Sequence, residues 1–224
     1  MSDATTTFPD RRAAGRALAR AVAKFGRSDP VILALPRGGV PVAFEVAKAL
    51  RASLDLLMVR KIGAPGREEF GIGAVVDGGD PQIVLNEEAI RLVDPPPGYI
   101  EAETRRLLLE IERQRRLYMG GRMPLPTKGR TVLVVDDGVA TGGTVRAALK
   151  ALGRTGAGRV VLALPVAPRD TLEELRGEAD EVVCLSAPDP FWAVGQHYAD
   201  FSQTSDGEVI RLLDEARAYA PTGG

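Results

Sequence analysis

The sequence predicts an α/β fold in which helices cover both faces of a central parallel sheet. Continuous apolar runs at 131–135, 160–166 and 181–185 alternate with helical patterns at 143–152 and 171–176. Apolar runs without polar alternation are typical of strands buried on both faces, and parallel strands need helical connections between them. The chain has 224 residues, of which 45% are apolar, so it can form one such domain with a sizeable core.

The other elements follow from the spacing of apolar residues. Before residue 130 they are a helix at 10–25, a strand at 31–35, a helix at 40–51, a strand at 54–59, a strand pair at 74–76 and 82–85, and a helix at 99–119. A last helix is expected at 206–219. The helix at 99–119 is rich in arginine, and we interpret its charged face as solvated, since Glu101 and Arg105 have the i,i+4 spacing of a favourable pair.

The balance of charges argues against several classes of partner. Lys and Arg total 29 and Asp and Glu total 30, so the chain lacks the positive excess of a general nucleic-acid or membrane-surface binder. Residues 1–10 have no apolar signal core, and no stretch approaches the ~20 apolar residues that cross a bilayer. We therefore expect a soluble, cytoplasmic protein with no membrane partner and with nucleic acid disfavoured as a partner.

The most informative segment follows the predicted strand at 131–135. It begins with two acids and continues as a loop of small residues that opens the next helix: Asp136, Asp137, Gly138, Val139, Ala140, Thr141, Gly142, Gly143 and Thr144. Free N–H groups at such a loop favour a phosphate, and two adjacent carboxylates can accept hydrogen bonds from a vicinal diol and hold Mg²⁺. The loop has no lysine and lacks the dinucleotide glycine spacing, which excludes both common nucleotide loops. A ribose 5-phosphate, which carries a diol and a phosphate, fits these groups.

This segment resembles the signature of the type I phosphoribosyltransferases, which bind 5-phosphoribosyl-1-diphosphate (PRPP). The signature has hydrophobic residues, two acids, two further residues and then Ala/Asp-Thr-Gly-x-Thr, which here is Ala140 to Thr144. The resemblance implies that Asp136 and Asp137 contact the ribose 2′- and 3′-hydroxyls and Mg²⁺. It also implies that Gly138 and residues 140–144 cradle the 5′-phosphate.

The resemblance implies the fold of that family as well. That fold is a central parallel sheet with helices on both faces, a flexible loop, and a small hood or helical insertion that covers the site. We expect a single domain over residues 1–224. Its parts are an N-terminal helix at 10–30, a core at 31–93 and 130–186, a helical insertion at 94–129, and a C-terminal hood and helix at 187–224.

Two further strand ends resemble the parts of that family that bind the diphosphate. The loop after the strand at 31–35 contains Arg37, Gly38 and Gly39. Related loops carry a cis non-proline peptide bond, which we expect at Pro36–Arg37. The predicted strand at 54–59 ends in Arg60 and Lys61, where family members place a basic residue against the diphosphate.

The segment at 62–73 is punctuated by glycines and resembles the flexible catalytic loop of the family. The candidate catalytic residues are Lys61 at its start and Glu68 and Glu69 within it. The alternative is a surface hairpin that has no role in catalysis.

Two parts of the sequence indicate different kinds of acceptor. Enzymes for 6-oxopurines have Asp at the position of Ala140, whereas the adenine type has Ala-Thr-Gly-Gly-Thr and takes its carboxylate from the flexible loop. In contrast, the segment at 190–201 is similar to the base-contacting segment of the 6-oxopurine enzymes. Within it, Phe191 or Trp192 would stack on a base and Asp200 would read its edge.

The resemblance therefore implies an enzyme that transfers the 5-phosphoribosyl group from PRPP to a nitrogen acceptor and releases diphosphate. A purine-like base is the expected small-molecule acceptor, Mg²⁺ the cofactor, and a homodimer a possible assembly. Two alternatives stay open. One is a non-catalytic regulator that senses PRPP, and the other is a hydrolase that acts on PRPP without an acceptor.

Overall fold

The computed structural model describes residues 7–77 and 81–220 and has two sheets. The helices are α1 (Arg11–Ala21), α2 (Gly39–Leu50), α3 (Glu87–Val93), α4 (Tyr99–Met119), α5 (Gly143–Arg154), α6 (Arg169–Leu175) and α7 (Asp206–Ala216). The strands are β1 (Val31–Ala34), β2 (Ser53–Leu56), β3 (Val59–Ala64), β4 (Arg67–Val76), β5 (Gln82–Leu85), β6 (Thr131–Val135), β7 (Arg159–Val166) and β8 (Glu181–Ser186). Short 3₁₀ helices occupy Ala23–Ser28 and Val194–His197. Within the described ranges, no helix combines the length and apolar character needed to cross a membrane.

The larger sheet is parallel and has the order β2-β1-β6-β7-β8. Successive side chains of a strand point to opposite faces, and the core is divided accordingly. Ile32 and Leu133 pack on one face with apolar residues of α1, α2 and α7. Leu33 and Val134 pack on the other face with α5 and α6. The predicted parallel sheet with helices on both faces is confirmed.

The order of the strands reverses direction between β1 and β6. The chain leaves β1 toward β2 on one side, and it leaves β6 toward β7 on the other. The two strands are hydrogen-bonded neighbours, with Ala34 opposite Val135. Ligands of such sheets bind in the crevice beyond the carboxyl ends of the strands at this reversal. The loop 35–38 and the loop 136–142 both start there.

The smaller sheet corrects the expected positions of Arg60 and Lys61. The apolar run expected as one strand at 54–59 is divided, since β2 ends at Leu56 and β3 begins at Val59 in a separate antiparallel sheet. The two cations lie within β3 and not at the end of a strand of the parallel sheet.

The segment expected as a flexible loop at 62–73 is also regular. It forms the antiparallel hairpin of β3 and β4, which turns at Gly66. The strand pair at 74–76 and 82–85 is confirmed as β4 and β5, and its turn falls partly outside the described residues. The short helix α3 follows β5 and was not expected from the sequence.

A buried ion cluster fastens α4 to both sheets. Arg115 donates to both carboxylate oxygens of Asp55 at 2.8 and 2.9 Å and to Asp77 at 3.0 Å. The side chain of Asp55 also accepts from the backbone N–H of Leu125 at 2.8 Å. The solvated face expected for this helix therefore excludes Arg115, which is 9% exposed. The cluster joins the end of β2, the end of β4 and the segment after α4.

Candidate active site

The two loops at the reversal of the sheet are in direct contact. An added Cβ atom at Gly38 would lie 2.1 Å from Oδ2 of Asp137, and one at Gly39 would lie 3.1 Å from Oδ1 of Asp136. The backbone of Gly38 is right-handed helical, with φ −60°, so glycine is needed there for space and not for conformation. The cis peptide bond expected at Pro36–Arg37 is present. Glycines of the first loop therefore bring its backbone against both carboxylates of the second.

The two carboxylates are crowded and only partly compensated. Burial raises the pKa of Asp136, and the negative charge of Asp137 raises it further. One oxygen of Asp136 accepts the backbone N–H of Asp137 at 2.9 Å. Arg11, in the first turn of α1, donates from Nε to Oδ2 of Asp137 at 2.7 Å. The site is thus ready to accept hydroxyl donors or a cation, both of which relieve the concentration of negative charge.

Mg²⁺ fits these donors in a particular way. Among residues 7–77 and 81–220, no group of three or more His, Cys, Asp or Glu side chains could enclose a metal ion. Asp136 and Asp137 offer two adjacent carboxylates, and Mg²⁺ usually takes one or two carboxylates from the protein and completes its shell with substrate oxygens and water. The residues present therefore fit an ion that arrives with an oxygen-rich ligand.

The loop 136–142 is shaped by contacts on both sides. Gly142 has φ +73°, which glycine adopts without strain, and it precedes the first turn of α5. Thr171 of α6 donates its hydroxyl to the carbonyl of Ala140 at 2.9 Å. The side chains of Thr141 and Thr144 are exposed at the start of α5. Free N–H groups, two hydroxyls and the helix dipole make this loop and the start of α5 a candidate cradle for a phosphate.

A cavity of about 790 Å³ extends from this cradle to the small sheet. Thr141, Gly143 and Thr144 line one side, and Lys61 and Glu69 line the other. Nζ of Lys61 donates to the carboxylate of Glu69 at 3.0 Å and to its carbonyl at 2.9 Å. Both side chains are accessible, with 47% of Lys61 and all of Glu69 exposed. The hairpin thus presents a cation and an acid to this cavity.

Arg60 and Glu68 are oriented differently. The guanidinium of Arg60 donates to Glu110 at 2.9 Å and to Gln114, both on α4. The backbone of Glu68 packs against Gly63, where an added Cβ atom would lie 2.6 Å from the carbonyl oxygen of Glu68. Neither residue borders the cavity, so Lys61 and Glu69 are the charged residues of the hairpin that line it.

The segment at 187–201 contacts the loop 136–142 through Tyr198 and also through Val194, which lies against Gly138. Tyr198 donates its hydroxyl to the carbonyl of Asp137, and burial raises the pKa of that hydroxyl. Phe191 stacks on His197, with ring centroids 5.1 Å apart. Trp192 is 76% exposed. Asp200 is exposed and accepts from the backbone and the hydroxyl of Ser202. Of the three candidates for base contact, only Phe191 is already stacked on another ring.

Three contributors to the site were missed in the sequence. Arg11 binds Asp137 across 126 positions and lies 3.9 Å over the ring of Phe201. Tyr198 and Thr171 hold carbonyls of the loop 136–142. Arg11 lies in an amphipathic helix whose pattern indicates burial only, so nothing local identifies it. Tyr198 lies among the aromatic residues at 191–201, so it could have been identified from the same sequence signal.

The family can be assigned from the comparisons with known proteins. The model of the phosphoribosyl transferase domain matches residues 9–201. Two curated proteins of Mycobacterium tuberculosis, from strains CDC 1551 and H37Rv, are each 46% identical over 217 residues and carry the provisional name phosphoribosyl transferase. The crystal structure of TT1426 from Thermus thermophilus has 45% identity and a TM-score of 0.80, and the match covers 96% of this chain and all of that one. The chain belongs to the phosphoribosyl transferase domain family.

The lengths of these relatives differ. The match covers 96% of this chain but only 48% of each mycobacterial protein, so the chain spans about half the length of those curated relatives. The domain is the part that the chain shares with them. The family resemblance indicated by the loop 136–144 is confirmed.

Proposed function

We propose that this chain is an Mg²⁺-dependent phosphoribosyltransferase that moves the 5-phosphoribosyl group of PRPP to a nitrogen of a purine-like heterocycle. The observation that carries the proposal is the contact between Gly38 and Asp137, at 2.1 Å for an added Cβ atom. PRPP has its diphosphate on C1 and its diol on the adjacent C2 and C3. A site for it therefore needs a diphosphate loop and a diol acceptor side by side.

The remaining groups of PRPP have matching partners in the proposal. Asp136 and Asp137 accept the ribose hydroxyls and hold Mg²⁺, and the cradle at 138–144 takes the 5′-phosphate. Arg37 and the N–H group of Gly38 take the diphosphate, since the N–H group of Gly39 already donates to the carbonyl of Leu35 at 3.0 Å. Arg60 is engaged with α4, so we assign the second diphosphate cation to Lys61.

The reaction breaks the bond between C1 and the diphosphate oxygen and forms a bond between C1 and the acceptor nitrogen. The diphosphate leaves with the electron pair, and Arg37, Lys61 and the loop N–H groups stabilise its developing charge. Mg²⁺, when bound, supplies further positive charge to the leaving oxygens. The acceptor loses a proton, for which the carboxylate of Glu69 is the proposed base; Glu68 is the alternative.

The hairpin of β3 and β4 is the proposed lid. PRPP would be hydrolysed if water reached C1 during the reaction, so the site has to exclude it. The tip of the hairpin, residues 66–70, is exposed, and it carries Glu69 opposite the cradle. Closure across the cavity would bring Lys61 and Glu69 to the substrate and remove water in one movement.

The acceptor is expected beside the C-terminal segment. Trp192 is free to stack on a planar ring, and Asp200 offers a carboxylate to N–H groups at the edge of a base. Phe191, supported by His197, would extend the apolar surface. Ala140 supplies no carboxylate that could take the proton of the acceptor. This supports proton removal by a carboxylate of the hairpin. A cytoplasmic location and a homodimer stay predictions from the sequence and the resemblance.

Release of diphosphate from PRPP and Mg²⁺, screened over a panel of purines and other heterocyclic bases, tests the proposal. We expect release that depends on one base and is abolished in the double variant Asp136→Asn, Asp137→Asn. Release without any base would indicate a hydrolase instead. Binding of PRPP by calorimetry without release would indicate a sensor of PRPP. Absence of PRPP binding would contradict all three.

A further inference from the structure

A continuous series of hydrogen bonds joins the strand of the proposed lid to the diphosphate loop. Arg60 of β3 donates to Oε1 of Gln114, and Nε2 of Gln114 donates to the hydroxyl of Tyr118 at 3.2 Å. That hydroxyl donates to Oδ1 of Asp206 at 2.7 Å, and Nη1 of Arg37 donates to the same oxygen at 3.4 Å. Four elements contribute, and the series ends at a cation that we assign to the diphosphate.

The central pair of this series is held in place on both sides. The ring of Tyr118 belongs to the core and is 1% exposed, so its hydroxyl has little freedom. Asp206 is the first residue of α7, where the helix dipole favours a carboxylate, and Ser205 caps the same helix. The hydrogen bond from Tyr118 lowers the pKa of Asp206, with a smaller contribution from Arg37. The carboxylate is therefore charged and fixed beside Arg37.

We propose that Tyr118 and Asp206 are positioning residues, which hold the guanidinium of Arg37 at the entrance of the diphosphate loop. The inference rests on the proposed binding of PRPP. An arginine side chain has many rotamers, and it loses conformational entropy when it binds an anion. This loss normally lowers the affinity for the anion. One nitrogen of Arg37 is occupied by Asp206, which leaves its other donors for the diphosphate.

Asp206 also has an effect that opposes binding of the diphosphate. The negative charge of Asp206 repels a diphosphate and competes for Arg37. The two side chains are 37% and 49% exposed, so water and salt screen the repulsion strongly. Orientation of the guanidinium depends on contact geometry and is not screened in the same way. We therefore expect the loss of Asp206 or of the Tyr118 hydroxyl to weaken diphosphate binding and not to strengthen it.

Three ligands separate positioning from general damage to the fold. With Mg²⁺ present, calorimetry measures the affinity for PRPP, for diphosphate and for ribose 5-phosphate, which lacks the group that Arg37 contacts. We expect Tyr118→Phe and Asp206→Ala to weaken PRPP and diphosphate by roughly three- to tenfold. Ribose 5-phosphate should bind as to the wild type. Asp206→Asn keeps an acceptor oxygen and should restore part of the loss.

A double variant tests whether the effect passes through Arg37. If Asp206 acts by orienting Arg37, then Arg37→Ala combined with Asp206→Ala should bind PRPP no more weakly than Arg37→Ala alone. Tyr219→Phe is the matched control, because it removes a tyrosine hydroxyl near the end of the chain that lies outside the series. It should leave all three affinities unchanged.

Several results would overturn the inference. They are unchanged or tighter diphosphate binding in Tyr118→Phe and Asp206→Ala, equal losses for all three ligands, or additive losses in the double variant. If the wild type does not bind PRPP, the proposed function fails, and the inference fails with it. If the wild type binds PRPP and the variants behave like it, only the inference fails.

Discussion

Replacement of Gly38 by alanine tests the contact between the two loops most directly. The new methyl group would lie 2.1 Å from Oδ2 and 2.6 Å from Cγ of Asp137, which is far inside van der Waals contact. The backbone at Gly38 accepts alanine without strain, since φ is −60° and ψ is −34°. The side chain of Asp137 therefore has to rotate, and it loses both the position proposed for the ribose and its bond to Arg11.

The size of the effect follows from the groups involved. A hydrogen bond to a charged group contributes about 1.5–3 kcal/mol, so the affinity for PRPP should fall by roughly 10- to 150-fold. Loss of the bond to Arg11 lowers the free energy of unfolding, whereas alanine in a compatible conformation raises it by about 0.4–1 kcal/mol. We expect the protein to remain folded, with its free energy of unfolding reduced by no more than about 2–3 kcal/mol.

Calorimetric titration with PRPP and Mg²⁺, together with urea unfolding, measures both quantities. Gly153→Ala is the matched control, because an added Cβ atom there meets nothing within 4 Å and the residue lies near the exposed end of α5. It should bind PRPP normally and gain up to about 1 kcal/mol of stability. Wild-type affinity in Gly38→Ala would refute the placement of the ribose beside Asp137.

Three other predictions concern different parts of the molecule. Arg115→Ala leaves two buried carboxylates without their partner and should lower the free energy of unfolding by about 3–5 kcal/mol. Arg116→Ala, at an exposed neighbour, should lower it by about 0.5 kcal/mol or less, and urea unfolding compares the two variants. Burial lowers the pKa of His197 below 6.5, so the unfolded chain takes up a proton that the folded chain does not, and stability should be full above about pH 6.5 and fall as the pH drops below it. Urea unfolding at about pH 7.5 and about pH 5.5 should show a smaller fall for His197→Leu, and an equal fall would exclude this histidine as the cause. Glu69→Gln should lower kcat by about 100-fold or more, and by more than Glu68→Gln does. If the steady-state rates of both variants match that of the wild type, neither glutamate of the hairpin is the base.

The parallel sheet was predictable because its signal is strong and local. The runs at 131–135 and 160–166 are uniformly apolar, and each is followed by small or polar residues that open a helix. The bounds expected for the strand Thr131–Val135 and the helix Tyr99–Met119 agree with the structure. The loop at 136–144 was informative because its acids, glycines and threonines are residue types that suit a tight backbone turn and an oxygen-rich ligand.

The remainder depended on contacts that are distant in the sequence. Apart from Asp55 the run at 54–59 is apolar, and no residue within it marks the point at which it is divided between two sheets. The division depends on which strand each half meets, as β1 pairs with β2 and β3 pairs with β4. The same holds for Arg11, whose partner lies 126 positions away. Arginine in an amphipathic helix is most often a surface residue, and only the folded chain distinguishes this one.

The pairing of β1 with β6 limits which molecules can use the site. Neighbouring strands are about 4.8 Å apart, so under the proposed function the two loops that leave them would contact ligand groups that lie close together. Substituents on adjacent carbons of one sugar ring meet that requirement. Nucleoside diphosphates carry the diphosphate on C5 and not on C1, the neighbour of the carbon with the 2′-hydroxyl, and so would not engage both loops in the same way. Under the proposed function, selection between these two kinds of phosphorylated ribose would thus follow in part from the hydrogen-bonded pairing of β1 with β6.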